Sequence, residues 1–210
     1  MSVLIGMLRL FPRESAEFIT KNAQDVKVST VGVKKLADKI QEVFSKQEYT
    51  IKSWKEHELN PKTMDNKAID WIFFTDSLNF SFWGDDENKK CEISFNNKSY
   101  FGWWAFCAAV NRALKEGIPL CDPKYYSIMT EEQLKYIFRS DTEIEMPLLE
   151  KRLQVAHEVG KVLIKRFGGS FVNCINQCEE SAQKLLKLII ENFPSFRDEA
   201  DFMGTRGVIQ

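Results

Sequence analysis

The stretch Gly102–Glu116, GWWAFCAAVNRALKE, decides how the rest of the chain is read. It predicts a helix, which the small hairpin and the other helices have to pack around. Gly117 supplies the left-handed residue that closes such a helix, and Pro119 blocks its continuation. Immediately upstream, CEISF and KSYFG flank Asn96-Asn97, residues that tolerate the positive φ of a tight turn. That pattern predicts a β-hairpin, which needs the helices to pack on because two strands alone are not stable.

Working outward, the helical period dominates. Pro12–Asn22 starts with proline, carries acids early and a lysine late. Ser29 or Thr30 caps a helix in which Val33, Leu36, Ile40, Val43 and Phe44 recur at offsets of three and four, predicting one buried stripe. A linking segment from Trp54 through His57 ends at Asn60-Pro61. Asp65 or Asn66 then opens a strongly apolar run whose first part, through Thr75, is readable as a buried helix and whose Asn79–Trp83 is readable as extended, a choice periodicity alone leaves open; Asp85–Lys90 is a polar loop. Thr130 and Gln133 form a capping box for a helix to about Arg139. A long helix is expected from about Met146 to Phe167, with Pro147 at its first position and Leu149, Leu153, Ala156, Gly160, Leu163 and Phe167 on one face. Helical segments follow from Ser170 to about Cys178 and from about Ser181 to Phe193. After Pro194 no period is visible, which reads either as a disordered tail or as the end of a shortened form of a longer chain. The expected fold class is mainly α: a single helical domain with one small β-hairpin.

Composition supports an ordinary folded chain. Of 210 residues, 44% are hydrophobic and 28% charged, and 29 basic against 30 acidic residues leave a net charge of −1. A polyanion clamp usually carries a basic excess, so no nucleic-acid partner is expected; a single small anion needs only one or two local charges. The five cysteines fit no disulfide framework and read as reduced thiols, which places the protein in the cytoplasm. The apolar Met1–Phe11 lacks the basic start and cleavage site of a leader and is expected to be a structural or frayed terminus, and no stretch approaches a membrane span.

Few residues can carry chemistry. The sequence has two histidines. His157 lies inside a charged helix and reads as structural, whereas His57 sits on a connection beside Trp54, where binding groups concentrate. The aromatics Trp71, Phe73, Phe74, Phe80, Phe82 and Trp83 read as core, or as a stacking wall for a flat heterocycle. Asp70, Asp76 and Asn79 lie among them, as helix caps, as structural partners of Arg112 or Lys98, or as carboxylates of raised pKa. Asn111-Arg112, Arg139-Ser140-Asp141 and Arg197-Asp198 read as structural polar groups, and Gly168-Gly169-Ser170 as a turn or a weak anion site. There is no P-loop, dinucleotide fingerprint, His-Glu-x-x-His or nucleophile elbow. From the residues alone the chain is a helical domain with an aromatic pocket of unassigned use.

Longer strings say more. PRESAEFI (12–19), HELNP (57–61), DWIFFTDSLNFSFW (70–83), GWWAFCAAVNRALKEGIP (102–119), YYSIMTEEQLKYIFRSDTEIEMPLLEKR (125–152), GKVLIKRFGGSFVNC (160–174) and SAQKLLKLIIENFPSFRD (181–198) occur in this order. From about residue 12 to about residue 203 the chain resembles the queuosine salvage proteins, the queuosine 5′-phosphate N-glycosylase/hydrolase family. LNFSFW and RSDTEIEMPLLEKR carry most of the likeness. The resemblance implies hydrolysis of the N-glycosidic bond of queuosine 5′-phosphate to free queuine for tRNA, a helical fold like the helix-hairpin-helix DNA glycosylases, and no metal or organic cofactor. It implies a mononucleotide substrate and assigns His57 to the queuine pocket. It also implies a longer chain whose nucleophilic Asp stands in a Phe-x-Asp context absent after Arg206, so no catalytic residue is expected among these 210. Residues 1–11 and 204–210 are then tails around an incomplete 12–203 domain of doubtful activity. The alternatives are a non-catalytic helical module that binds a nucleotide or protein and, more weakly, a DNA glycosylase.

Overall fold

The computed structural model describes residues 12–48, 50–82 and 90–208. In chain order its elements are α1 (Pro12–Asn22), α2 (Thr30–Ser45), α3 (Ile51–Glu56), α4 (Asn66–Ser77), β1 (Glu92–Phe95), β2 (Lys98–Phe101), α5 (Gly102–Lys115), α6 (Pro123–Tyr126), α7 (Glu131–Ile137), α8 (Leu149–Arg166), α9 (Val172–Asn176), α10 (Ala182–Asn192), β3 (Glu199–Phe202) and β4 (Thr205–Val208). The mainly helical class is as expected. Among the described residues no helix is long and apolar enough to cross a membrane. The predicted tail 1–11, Trp83 and most of the 85–90 loop lie outside the described residues.

Contacts divide the chain into two compact units, one from the segment up to Trp54 together with Phe196 onward, the other Lys55–Ser195. The 12–203 span expected as one domain runs across both.

In the larger unit α5 is the central element. Ala105, Phe106, Cys107, Ala108, Ala109, Val110 and Ala113 are all buried, because four alanines let neighbours approach on every side. The β1–β2 hairpin packs on this helix, as does α7. Asn96 and Asn97, at φ 51° and 63°, make the hairpin turn, with Phe95 paired to Lys98 across it. Asp65 caps α4, accepting from the Ala68 N–H at 2.9 Å. The Thr130–Gln133 capping box starts α7 as predicted.

Helix α8 begins later than predicted. Pro147 is not its first residue; Leu148 turns into the left-handed region at φ 57° and the helix starts at Leu149. The Arg152 Nε–H takes the Pro147 carbonyl at 3.0 Å, which holds that corner inward. Of the predicted face Leu149, Ala156, Gly160, Leu163 and Phe167 are buried and Leu153 is partly so, and Arg152, Val155 and Val159 widen it on one side. Gly160 is where α6 meets α8: a Cβ there would lie 2.8 Å from Ser127 Cβ and from the Tyr126 ring. Gly160→Ala is expected to cost about 1–3 kcal/mol through overpacking, read as a lower urea midpoint with unchanged slope.

The smaller unit corrects two expectations. The region after Pro194 is not without regular structure: β3 and β4 form a second hairpin, turning at Met203 and Gly204 with φ 49° and 75°. It escapes a sequence reading because methionine rarely takes positive φ. Phe18 of α1 meets Phe202 of β3 edge to face at 6.0 Å. The periodic stripe on α2 exists, capped by Ser29, but no residue of the helix is buried. Val33, Leu36, Ile40 and Phe44 are 55%, 61%, 47% and 69% exposed.

Candidate functional site

A cavity of about 860 Å³ opens in the larger unit against α4 and α5. Strings far apart in sequence meet in its wall: Glu58–Pro61 of HELNP, Asp65 and Lys67 at the start of α4, Asp70 and Trp71 within it, Asn111 of α5, Cys121, Asp122 and Lys124 around α6, and Gly168-Gly169 after α8. Its size is that of a small-molecule site.

The wall is fixed by hydrogen bonds. The Trp71 indole N–H donates to Asn111 Oδ1 at 3.1 Å, and Asn111 Nδ2 donates to the Leu59 carbonyl at 2.7 Å. Asp70 accepts from the Ser170 hydroxyl at 3.0 Å and from the Phe171 N–H at 2.9 Å, so this carboxylate anchors the turn leading into α9. Burial raises its pKa, and those two donors oppose the rise. Neither Arg112 nor Lys98, the partners considered from sequence, pairs with it: Lys98 is bonded to Glu58 and Arg112 lies 4.0 Å from Asp141. Burial pushes the Cys121 thiol up to about 12, so it carries no thiolate at neutral pH. All five cysteines are free, as expected of reduced thiols.

His57 is half-buried, stacked on Trp104 with ring centroids 3.5 Å apart and 15° between planes. It stands next to the cavity wall, which starts at Glu58, but is not itself in the lining. Its Nδ1 accepts the Leu59 N–H at 3.3 Å, which leaves the ring proton on Nε2 as a donor. Burial lowers its pKa below the ordinary 6.5, Glu58 opposes this, and Lys62 and Lys98 reinforce it. His157 is structural, its Nε2 2.7 Å from the Met129 carbonyl oxygen.

The other flagged residues divide between core and latch. Phe73 stacks on Phe171 at 4.1 Å and Phe74 meets Tyr126 at 5.0 Å, both in the core. Phe80 and Phe82 flank the guanidinium of Arg152, 4.6 and 4.8 Å from their ring centroids. Asp76 and Asn79 are solvent-exposed, although protein crowding still raises the Asp76 pKa. The RSD string joins the hairpin to the helices: the Asp141 N–H donates to the Glu92 carbonyl at 2.8 Å, the Ser94 N–H donates to Asp141 Oδ2 at 2.5 Å, and Arg139 pairs with Glu116 at 2.5 Å. Arg112 donates to the Ile137 and Arg139 carbonyls at the end of α7. Asp201 sits in the second hairpin, opposite Arg206.

Sequence reasoning missed Arg152. It is completely buried and has no carboxylate partner within 4 Å among the described residues: its guanidinium donates to the carbonyls of Leu78, Phe80 and Ser81 as well as Pro147. Burial pushes its pKa down to about 10, still charged at neutral pH. It holds the chain leaving α4, where Ser81 takes φ 48°. An arginine inside a charged helix gives no sequence signal of this. Lys67 and Lys124 were missed for the same reason.

Comparison with known proteins agrees with this frame. The family model described as queuosine salvage protein matches residues 59–209. The chain is 48% identical over 198 residues to the queuosine 5′-phosphate N-glycosylase/hydrolases of Bos taurus and Mus musculus, and 43% identical over 197 residues to that of Nematostella vectensis. These alignments take in 94% of this chain and 57–58% of each relative, so the chain spans a little over half the length of the curated relatives it matches. With the matched span holding all but the first residue of the cavity wall, the chain belongs to the queuosine salvage protein family.

Proposed function

We propose that the chain serves the hydrolysis of the N-glycosidic bond of queuosine 5′-phosphate, releasing queuine. The observation that carries this is the cavity, whose wall takes residues from four of the strings that resemble the family: HELNP, the start of DWIFFTDSLNFSFW, GWWAFCAAVNRALKEGIP and GKVLIKRFGGSFVNC. Breaking the C1′–N bond builds positive charge on the ribose, and hydrogen bonds to the departing base make it a better leaving group. His57, with Nε2–H as a donor beside the wall, is the residue assigned to the base. Lys67 and Lys124 line the cavity with no ion pair within 4 Å among the described residues, and are assigned to the 5′-phosphate.

None of the four acidic wall residues is proposed as the bond-cleaving group. Glu58 is paired with Lys98, Asp65 caps α4, Asp70 anchors Ser170 and Phe171, and Asp122 caps α6. This commitment supports a second reading, a chain that binds the nucleotide without cleaving it. The proposal includes a mononucleotide substrate rather than a nucleic acid, in keeping with the net charge of −1, a cytoplasmic setting, and a helical frame of the helix-hairpin-helix glycosylase kind.

Incubating the purified chain with queuosine 5′-phosphate and measuring free queuine by chromatography, alongside calorimetric binding, separates the readings. Release supports hydrolysis, binding without release supports the second reading, and neither overturns both. Replacing Lys67 and Lys124 together by alanine is expected to weaken queuosine 5′-phosphate binding about tenfold or more while queuine affinity stays within about twofold, since only the phosphate offers a charge-assisted contact.

A further inference from the structure

His57 and the cavity are joined by a continuous run of hydrogen bonds. The Leu59 N–H donates to His57 Nδ1 at 3.3 Å, the Leu59 carbonyl accepts from Asn111 Nδ2 at 2.7 Å, and Asn111 Oδ1 accepts from the Trp71 indole at 3.1 Å. Leu59, Asn111 and Trp71 all line the cavity, and Leu59 and Trp71 are 1% and 6% exposed. Asn111 is the only side chain in this run that bonds both to the turn bearing His57 and to α4. Its amide presents one acceptor and one donor in opposite senses, which neither an aspartate nor a leucine of similar size reproduces.

We propose that Asn111 is a positioning residue that couples the protonation state of His57 to the inner wall of the cavity at Trp71. When Nδ1 gains a proton it changes from acceptor to donor and meets the Leu59 N–H donor head on. The turn must then shift, and the Leu59 carbonyl shifts with it. Asn111 passes that displacement to the indole of Trp71. The cavity is thus in its binding form when His57 is neutral and loses that form as His57 protonates.

The charged groups around His57 leave it the titrating member of its surroundings. Glu58 and Lys62 come from its own turn and Lys98 from β2, with Tyr100 beside Glu58 and the uncharged Trp104 below the ring. Glu58 is held below its ordinary value by Lys98 and remains ionised across the range where histidine titrates. On the cavity side Asp70, next to Trp71 in sequence, is the one neighbouring carboxylate whose pKa is raised, and the experiment has to separate it.

The coupling rests on the proposed function only for its ligand, so two readouts are needed. In the first, the indole N–H resonance of Trp71, assigned by its loss in Trp71→Phe, is followed from about pH 8 to about pH 5 together with the His57 ring signals, across the histidine titration range. The expected result is that the Trp71 resonance moves with the His57 titration in the native chain and is flat in His57→Gln and in Asn111→Leu, while His57 still titrates in the latter. A Trp71 resonance that is flat in the native chain overturns the coupling. So does one that still moves in His57→Gln, which assigns the effect to Asp70. His57→Gln is half-exposed and keeps the test open should Asn111→Leu fail to fold.

The second readout is queuine affinity at the same pH values. The native chain is expected to bind about two- to tenfold more weakly at the acid end, the span of one net hydrogen bond, with no pH dependence in either variant. Coupling at Trp71 without queuine binding at either pH rejects the proposed function and leaves the coupling standing. Queuine binding with a pH-independent Trp71 does the reverse.

Discussion

Arg152→Met is expected to lower unfolding stability by about 3–5 kcal/mol, because it strips a donor from one buried and three partly buried carbonyls, and each such acceptor left unpaired costs about 1–3 kcal/mol when water cannot replace the donor. Methionine keeps most of the side-chain volume, so the loss reports the hydrogen bonds rather than an empty space. The guanidinium holds Leu78, Phe80 and Ser81 on one side and Pro147 on the other, tying the exit of α4 to the entry of α8. Lysine is expected to rescue little, since a single ammonium with three donors cannot span carbonyls on two segments in the planar arrangement that arginine presents. Chemical denaturation of both variants measures the effect. A loss below about 1 kcal/mol for Arg152→Met would show that water replaces the guanidinium, and that the buried cation is not what fixes this segment.

Phe106→Ala should be as costly, about 3–5 kcal/mol, the usual range for deleting a fully buried phenyl ring. Phe106 is completely buried and stacks on Phe138 at 4.9 Å and on Trp103 at 5.7 Å, with Phe82 5.9 Å away. It also lies beneath Arg152, whose guanidinium carbon is 5.6 Å from its ring centroid. The two changes therefore share a neighbourhood. The double variant is expected to lose less than the sum of the singles by about 0.5 kcal/mol or more, as residues in contact do. Strict additivity would argue that the aromatic layer and the arginine act independently.

How much of this was legible beforehand depends on what each residue had to contend with. Helix α5 and the Asn96-Asn97 turn were readable because local chemistry and packing point the same way. The capping box at Thr130 and the Asp65 cap were readable for the same reason. The start of α8 was not, because a proline with a good first-turn context was overruled by a side chain five residues on, Arg152, drawing its carbonyl inward. The Met203-Gly204 turn broke a propensity rule, and the hairpin it closes stayed hidden. For the site, HELNP, Asp70-Trp71, Asn111 and Gly168-Gly169 were each flagged, but nothing in one sequence says that they share a wall. Their separations in sequence reach a hundred residues, as for Ser170 and Asp70. Lysines on a cavity rim and lysines in open solvent look the same in a string of letters, and only the fold distinguishes Lys67 and Lys124 from the rest.

The bare apolar flank of α2 has a practical consequence. A ridge of valine, leucine, isoleucine and phenylalanine in contact with water is where molecules of this chain would stick to one another when concentrated. Salting-out agents such as ammonium sulfate strengthen that attraction, and chilling weakens it. Light scattering of the purified chain should therefore rise with sulfate and fall on cooling, and replacing Leu36 and Phe44 by serine should blunt both responses.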